Sequence, residues 1–206
     1  MEGTRQYECK TTLLATVRAE ESVRRYASAY ERELKDLLQG DPRAVRAYAK
    51  GLEPSDRTEF ERIIDEPFLV IRAAGSLGLD LIALRREFAF PLEVKSSAED
   101  TIYFTAAGGR GLVQLEGHRK AVARVGLTVL YAYRRVGYRD PDPWRMYIGT
   151  KAPIRGILNL VCRRLPTLDT TREGNAIIHW EQGMPLSRFL STVRFLTETP
   201  SAETTT

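Results

Sequence analysis

The chain has 206 residues, of which 43% are hydrophobic and 28% are charged, a balance typical of a soluble globular protein with one domain or one domain and an appendage. Its apolar runs fall short of the roughly 18 residues needed to span a bilayer, and the polar start Met1–Lys10 carries no secretory pattern, so we expect a cytoplasmic protein with no membrane partner. The two cysteines, Cys9 and Cys162, are too few for a zinc site and are expected to be structural thiols.

Arginine dominates the basic residues. The net charge is only +4, but six of the 31 basic residues are Lys and the others are Arg. Arg is suited to bidentate contacts with phosphate, although an Arg-favouring codon bias explains the same excess. The charge therefore permits a nucleic-acid partner without requiring one.

The first half of the chain predicts a helix followed by strands. Apolar residues at helical spacing predict a helix over Ala19–Leu38, which Gly40-Asp41-Pro42 ends. The charged residues at about 39–67 predict an insertion, with a helical or loop segment at Ala44–Phe60. Three short apolar runs then predict strands, the last two forming a hairpin: Phe68–Ile71, Leu79–Leu84 and Phe88–Val94.

The second half predicts further helices and strands around the same sheet. A flexible loop is predicted at Gly108–Gly111. The helices predicted after it are Leu112–Val125, Pro153–Leu165 and Pro185–Leu196, and the predicted strands are Leu127–Tyr133, Trp144–Ile148 and Ala176–Trp180. This order predicts an α/β fold with a mixed sheet flanked by helices. We expect a core at 1–150, a C-terminal α+β extension at 151–197 and a disordered tail at 198–206.

Three charged residues converge in the predicted hairpin. Side chains alternate along a strand, so Phe88, Phe90, Leu92 and Val94 share the core face while Glu93 and Lys95 share the other. Asp80 is the lone charge in an apolar stretch, where a carboxylate is costly unless it is paired or binds a metal. Pairing of the two strands can bring Asp80 close to Glu93.

Two carboxylates beside an ammonium group suit a hard cation. Mg²⁺ takes a few carboxylate oxygens together with water and phosphate, and it can activate water for attack on a phosphodiester. Lys95 would orient that water or offset charge in the transition state. The alternative is a plain salt bridge between Lys95 and one carboxylate.

Two longer motifs add a family resemblance. The segments Arg72–Asp80 and Leu92–Ser97, read as Arg-Ala-Ala-Gly-Ser-Leu-Gly-Leu-Asp and Leu-Glu-Val-Lys-Ser-Ser, resemble the PD-(D/E)xK nuclease superfamily. Together with Glu31-Arg32-Glu33-Leu34, they are similar to the archaeal Holliday junction resolvases. The resemblance covers roughly Tyr30–Ile148 and implies a restriction-endonuclease-like fold.

The resemblance implies a role for each matching residue. Asp80 and Glu93 would bind metal, Lys95 would stand beside the attacking water, and Glu31 would add an acidic group from the helix, with Glu33 as the competing choice. The implied DNA contacts are Arg32, Arg72, Ser76, Ser96 and Gln114. Of these, Ser76 would support the site from its loop, and Gln114 would hold a water or phosphate unless it is a solvated surface residue.

The implied activity is that of an endodeoxyribonuclease dependent on Mg²⁺, with Mn²⁺ as a substitute. It would act as a homodimer on branched DNA in recombination and repair, as a Holliday junction resolvase does. The alternatives are a restriction-like or end-processing nuclease and an inactive DNA-binding module. The chain departs from the family in its insertion and its C-terminal extension, and in the helix after the site, where Ala121, Val122 and Val125 stand in place of the family's aromatic residues. These departures predict a different dimer surface, at Ala44–Phe60 or beyond Thr150.

The remaining polar residues have simpler explanations. His118 and His179 are far apart in sequence, which argues against a histidine-based nuclease or zinc site and favours surface or core roles. Arg155, Arg163 and Arg164 flank an apolar stripe and form either a second DNA-contacting helix face or a solvated basic face.

Overall fold

A computed structural model describes residues 28–73, 78–86, 88–105, 110–123, 125–149 and 156–198. Residues 28–38 are helical and are called α1. The other helices of these residues are α2 (Pro42–Ala49), α3 (Pro54–Glu61), α4 (Arg110–Ala123), α5 (Gly156–Arg164) and α6 (Leu186–Glu198), with 3-10 turns at Arg62–Ile64 and Trp180–Gln182. No helix within these ranges is both long and apolar enough to cross a membrane.

The strands form a large mixed sheet and a small antiparallel one. They are β1 (Leu69–Arg72), β2 (Leu81–Arg85), β3 (Phe88–Ser97), β4 (Thr101–Phe104), β5 (Leu130–Arg135), β6 (Trp144–Ile148), β7 (Asp169–Thr170), β8 (Ala176–His179) and β9 (Met184–Pro185). The six-stranded sheet has the order β1-β2-β3-β5-β6-β9, and the three-stranded sheet has the order β4-β8-β7. Among the described strands of the large sheet, β3 and β5 pair in parallel and all other neighbours pair antiparallel, so strand direction reverses at every step across the sheet except from β3 to β5.

The large sheet buries both of its faces. Along β5, Leu130 and Ala132 point into one core, whereas Tyr131 and Tyr133 point into the other. The first, the helical core, joins the sheet to α1, α2, α3, α5 and α6, and includes Leu34, Val45, Phe60, Phe90, Leu92, Trp144, Val161 and Phe189. The second, the α4 core, lies against α4 and the small sheet, and includes Leu79, Phe104, Leu115, Tyr131, Tyr133, Tyr147, Ile178 and Trp180.

The predicted fold class, α/β with a mixed sheet flanked by helices, is confirmed. The hairpin is confirmed as the antiparallel pair β2 and β3, and the strand at Trp144–Ile148 has the predicted bounds. Strand β4 was not predicted, because it has only four residues and pairs with β8, which lies far along the chain. The predicted helix at Ala19–Leu38 is described only from residue 28, and the predicted tail lies almost wholly outside the described residues.

The predicted insertion forms two short helices. Asp41 caps α2 by accepting hydrogen bonds from the amides of Arg43 and Ala44, at 3.0 and 2.8 Å, and a proline occupies the first turn of both α2 and α3. Val45 and Phe60 then pack into the helical core. The segment is therefore part of the described core packing.

Gly40 ends α1 and permits the turn into this segment. Its φ is +68°, and the amides of Gly40 and Asp41 donate to the carbonyls of Leu37 and Asp36, which is the hydrogen-bond pattern of a Schellman cap. A Cβ on Gly40 would also overlap the carbonyl oxygen of Ile63. Both the backbone conformation and the close approach of Ile63 therefore require glycine.

Replacing Gly40 with Ala should destabilise the fold more than the same change at Gly137. Gly137 has a φ of +70°, but a Cβ there would meet no atom within 4 Å. Gly137→Ala should cost about 1 kcal/mol for the left-handed backbone alone. Gly40→Ala should cost roughly 3 kcal/mol, because the overlap adds to that strain. Urea unfolding of both variants measures the difference, and equal losses would contradict the role assigned to Ile63.

Candidate active site

The register between β2 and β3 places Asp80 beside the middle of β3. Leu81 pairs with Leu92, and the amide of Asp80 donates to the carbonyl of Leu92 at 3.1 Å. The carboxylate Oδ2 of Asp80 accepts a hydrogen bond from the amide of Val94 at 2.7 Å. Asp80 is therefore held against β3 by both its backbone and its side chain.

Glu93 and Lys95 lie on the face of β3 that α4 covers. Lys95 Nζ donates to Glu93 Oε1 at 2.7 Å and to Gln114 Oε1 on α4 at 3.0 Å. Glu93 is 2% exposed. Its second oxygen, Oε2, is buried and has no hydrogen-bond partner among the described residues. The sequence prediction that Asp80, Glu93 and Lys95 could converge thus agrees with this geometry.

The two carboxylates are electrostatically poised for a cation. Burial raises the pKa of Glu93 to about 7, and Lys95 opposes that rise. Burial also raises the pKa of Asp80, although the hydrogen bond from Val94 lowers it. The negative charge of Glu31 raises the pKa values of both Asp80 and Glu93. A positive charge between these groups would favour their ionised forms.

The described residues fit a divalent cation with few protein ligands. No cluster of three or more His, Cys, Asp or Glu side chains suited to a metal occurs in the described ranges. Asp80 and Glu93 nevertheless offer carboxylate oxygens, one of them the unpartnered Glu93 Oε2. Mg²⁺ is commonly held by one or two carboxylates with water and substrate phosphate, so two are sufficient.

The structure distinguishes Glu31 from Glu33 on α1. Glu33 Oε1 accepts hydrogen bonds from Trp144 Nε1 at 2.9 Å and from Arg134 Nε at 3.2 Å, so it serves the packing of α1 on the sheet. Glu31 instead pairs with Arg72 at 2.7 Å, and its charge acts on Asp80 and Glu93. Glu31 thus acts electrostatically on both carboxylates of the candidate site, whereas Glu33 is engaged with Trp144 and Arg134.

Sequence reasoning missed the contribution of His118. It is 1% exposed and lies behind the site, with Nδ1 2.9 Å from the Tyr131 hydroxyl and Nε2 3.1 Å from the Gly78 carbonyl oxygen. The core role given to it as one alternative agrees with this burial, but its place beside Glu93 was not predicted. The available signal was the spacing of Gln114 and His118, which puts both on one face of α4.

A family model and a solved structure are similar to the chain. The model described as archaeal Holliday junction resolvase (Hjc) matches residues 47–132, a range that includes Asp80, Glu93 and Lys95. The chain resembles the archaeal Holliday junction resolvases. The structure of Hjc from Archaeoglobus fulgidus, a Holliday junction resolvase of an archaeal hyperthermophile, is 17% identical, with a TM-score of 0.41 over 66% of this chain and 91% of that chain. No curated protein matches the chain.

The DNA contacts implied by the resolvase resemblance lie in different surroundings. Arg32 and Arg72 are exposed, although Arg72 is paired with Glu31. Gln114 is bonded to Lys95. Ser96 alternates with Lys95 and so lies on the opposite face of β3.

Several other candidates fall outside the described residues. These are Ser76, Cys9, Arg155 and residues 108 and 109 of the predicted loop at Gly108–Gly111. The loop prediction is wrong for Arg110 and Gly111, which form the first turn of α4. Arg163 and Arg164 are exposed near the end of α5, and Cys162 is a buried free thiol whose pKa burial raises to about 11. The exposed arginines leave open both the DNA-contacting and the solvated alternatives for that helix.

Glu93→Gln should stabilise the metal-free protein at high pH. The pKa of Glu93 is raised from 4.5 to about 7 in the folded state, so the folded protein binds more protons between these values. The free energy of unfolding contributed by this group should therefore fall as pH rises from about 4.5 to about 7. The advantage of Glu93→Gln over wild type should grow across that window by roughly 2–3 kcal/mol.

Urea unfolding in EDTA at pH 5, 6, 7 and 8 measures this difference. The exposed Glu173→Gln is the matched control and should keep the wild-type profile. Adding Mn²⁺ at pH 8 should stabilise wild type and have little effect on Glu93→Gln, because a ligand that binds only the folded state raises its stability. If the free energies of unfolding of wild type and Glu93→Gln changed in parallel with pH, ionisation of Glu93 would not destabilise the folded protein, and the prediction would be wrong.

Proposed function

We propose that the chain is a metal-dependent DNA endonuclease that hydrolyses phosphodiester bonds, with branched DNA such as a Holliday junction as its favoured substrate. The observation that carries this proposal is that Asp80 and Lys95 are held on β3 on either side of Glu93, whose buried oxygen Oε2 has no hydrogen-bond partner in the described chain. The match of the resolvase family model to residues 47–132 supports it. A role in recombination or repair would follow from that substrate.

Asp80 and Glu93 would hold the cation, Mg²⁺ or Mn²⁺. Each is already fixed: Asp80 by the Val94 amide and Glu93 by the Lys95 ammonium, so little ordering is needed when a ligand arrives. A divalent cation bound there supplies positive charge that polarises the phosphodiester and favours ionisation of the attacking water. Glu31 would add negative charge at the edge of the same site.

Lys95 would act on the reacting groups directly. Its Nζ is restrained by Glu93 and Gln114, yet it has three N–H donors, so one can still point to a water or to a phosphate oxygen. Fixed positive charge at that point stabilises the negative charge that develops on the phosphate. Gln114 would orient Lys95.

Exposed arginines at the same end of the molecule would contact the DNA backbone. Arg72 is the last residue of β1 and pairs with Leu81, the neighbour of Asp80, and its ion pair with Glu31 would keep its guanidinium at the rim of the site. Arg32 is exposed on α1 next to Glu31. Contacts of this kind position the substrate and carry no sequence information, which suits an enzyme that recognises DNA shape.

Loss of either carboxylate or of Lys95 should abolish cleavage. Asp80→Asn, Glu93→Gln and Lys95→Ala should each lower the rate by at least about 100-fold, because each removes a charge that acts on the transition state. Affinity for DNA should change much less, since backbone contacts remain. Activity should require Mg²⁺ or Mn²⁺, vanish in EDTA and be poorly supported by Ca²⁺, whose coordination is looser.

Cleavage of end-labelled four-way junctions by the purified variants measures the rate. Filter binding or gel shift in Ca²⁺ measures the affinity for DNA. Lys120→Ala is the matched control, because Lys120 is exposed on α4 and should behave as wild type. Wild-type cleavage by Asp80→Asn or Glu93→Gln would overturn the site. Full cleavage in EDTA would mean that the carboxylates are structural. A catalytically inactive DNA-binding module would bind DNA and cut nothing with any metal.

The number of active sites separates resolution from end processing. One chain supplies one Asp80–Glu93–Lys95 site, and a four-way junction is resolved by two matched nicks, so a resolvase should be a two-fold symmetric homodimer. We therefore expect sedimentation of a dimer and paired nicks in a cruciform plasmid. A monomer on junction DNA that prefers duplex, flaps or ends would favour the restriction-like or end-processing alternative.

A further inference from the structure

The imidazole of His118 connects two parts of the site. His118 lies on α4, its Nδ1 is 2.9 Å from the Tyr131 hydroxyl of β5, and its Nε2 is 3.1 Å from the carbonyl oxygen of Gly78. A carbonyl oxygen only accepts hydrogen bonds, so Nε2 carries the proton, and the Tyr131 hydroxyl can then donate to Nδ1. Both ring nitrogens are thus held, and the ring cannot turn without breaking a hydrogen bond.

Gly78 lies two residues before Asp80 in the chain. Its φ is +70°, and a Cβ there would lie 3.4 Å from His118 Nε2, so the backbone approaches the imidazole closely. Leu79 is buried in the α4 core, and Asp80 is tied to the Val94 amide. The short segment 78–80 is therefore tied to α4 at its start and to β3 at its end.

His118 also borders the second carboxylate. Its Nε2 is 4.0 Å from Glu93 Oε2, which is too far for a hydrogen bond, because the N–H is directed at Gly78. The imidazole therefore covers this side of Glu93 and leaves Oε2 without a hydrogen bond from it. A histidine that donated to Glu93 would compete with a cation for that oxygen.

We infer that His118, supported by Tyr131, is a positioning residue that sets the spacing between Asp80 and Glu93 and keeps a Glu93 oxygen available for a divalent cation. This inference rests on the proposed function. His118 acts through Gly78 and by its contact with Glu93, and it takes no part in bond making. Loss of such supporting contacts commonly lowers metal affinity by 10- to 100-fold.

The test compares variants of His118 with a control on the same helix. His118→Leu removes both hydrogen bonds but keeps an apolar side chain of comparable size, whereas His118→Gln keeps an N–H donor for Gly78. Tyr131→Phe removes only the hydroxyl. Leu115→Ala is the control, because Leu115 is fully buried in the α4 core and its truncation destabilises the fold without removing any hydrogen bond of His118, Tyr131 or the two carboxylates.

The first measurement is Mn²⁺ affinity of the metal-free full chain by calorimetry, at a temperature where circular dichroism shows every variant folded. His118→Leu should bind Mn²⁺ at least about 10-fold more weakly. His118→Gln and Tyr131→Phe should lie between it and wild type, and Leu115→Ala should equal wild type. The second measurement is junction cleavage, where His118→Leu should lose rate at low Mn²⁺, recover most of it at high Mn²⁺, and keep the wild-type KM for DNA.

The outcomes separate this inference from the proposed function. If wild type binds Mn²⁺ and cuts DNA but His118→Leu matches Leu115→Ala in both measurements, His118 is a structural core residue and the inference fails alone. The same holds if His118→Gln is as impaired as His118→Leu. If wild type neither binds Mn²⁺ nor cuts any DNA, the proposed function fails and the inference fails with it.

Discussion

The antiparallel register that pairs Leu81 with Leu92 is the constraint on which the site depends. It brings Asp80 onto the backbone of β3 and leaves Glu93 and Lys95 facing α4, while Phe90 and Leu92 enter the helical core. A slip of one residue would turn every side chain of β3 to the other face. Burial of the aromatic and aliphatic side chains therefore enforces the same register that assembles the charged site, and packing and chemistry are set by one pairing.

The buried charges of the site lower the stability of the folded protein. Two carboxylates are drawn out of water, and Lys95 offsets only part of their desolvation, since the pKa of Glu93 is still raised to about 7. The Asp80 carboxylate accepts a hydrogen bond from the Val94 amide, whereas Glu93 Oε2 accepts none within the described chain. Buried polar groups left in this state are uncommon in folded proteins and often mark a place where a ligand completes the bonding.

Residues beyond the resolvase-like match complete both cores. Strand β8 pairs with β4, and β9 extends the large sheet next to β6. The Tyr147 hydroxyl donates to the carbonyl oxygens of His179 and Trp180, at 2.8 and 3.1 Å, so the C-terminal segment is bonded to the sheet at this point. The α4 core thus includes the side chains of Ala176, Ile178 and Trp180.

The sequence by itself determined the α/β class, the hairpin and the sharing of one face by Glu93 and Lys95, because alternation along a strand is a local property. Asp80 was recognisable as a lone charge in an apolar run, and its convergence with the other two followed from the hairpin. Only the tertiary structure showed that Glu33 bonds Trp144 and Arg134 while Glu31 pairs with Arg72, because these partners come from distant strands. The same holds for the contact of Gln114 with Lys95 and the bridge from Tyr131 through His118 to Gly78, because the packing of α4 on the sheet depends on long-range burial that no local pattern encodes.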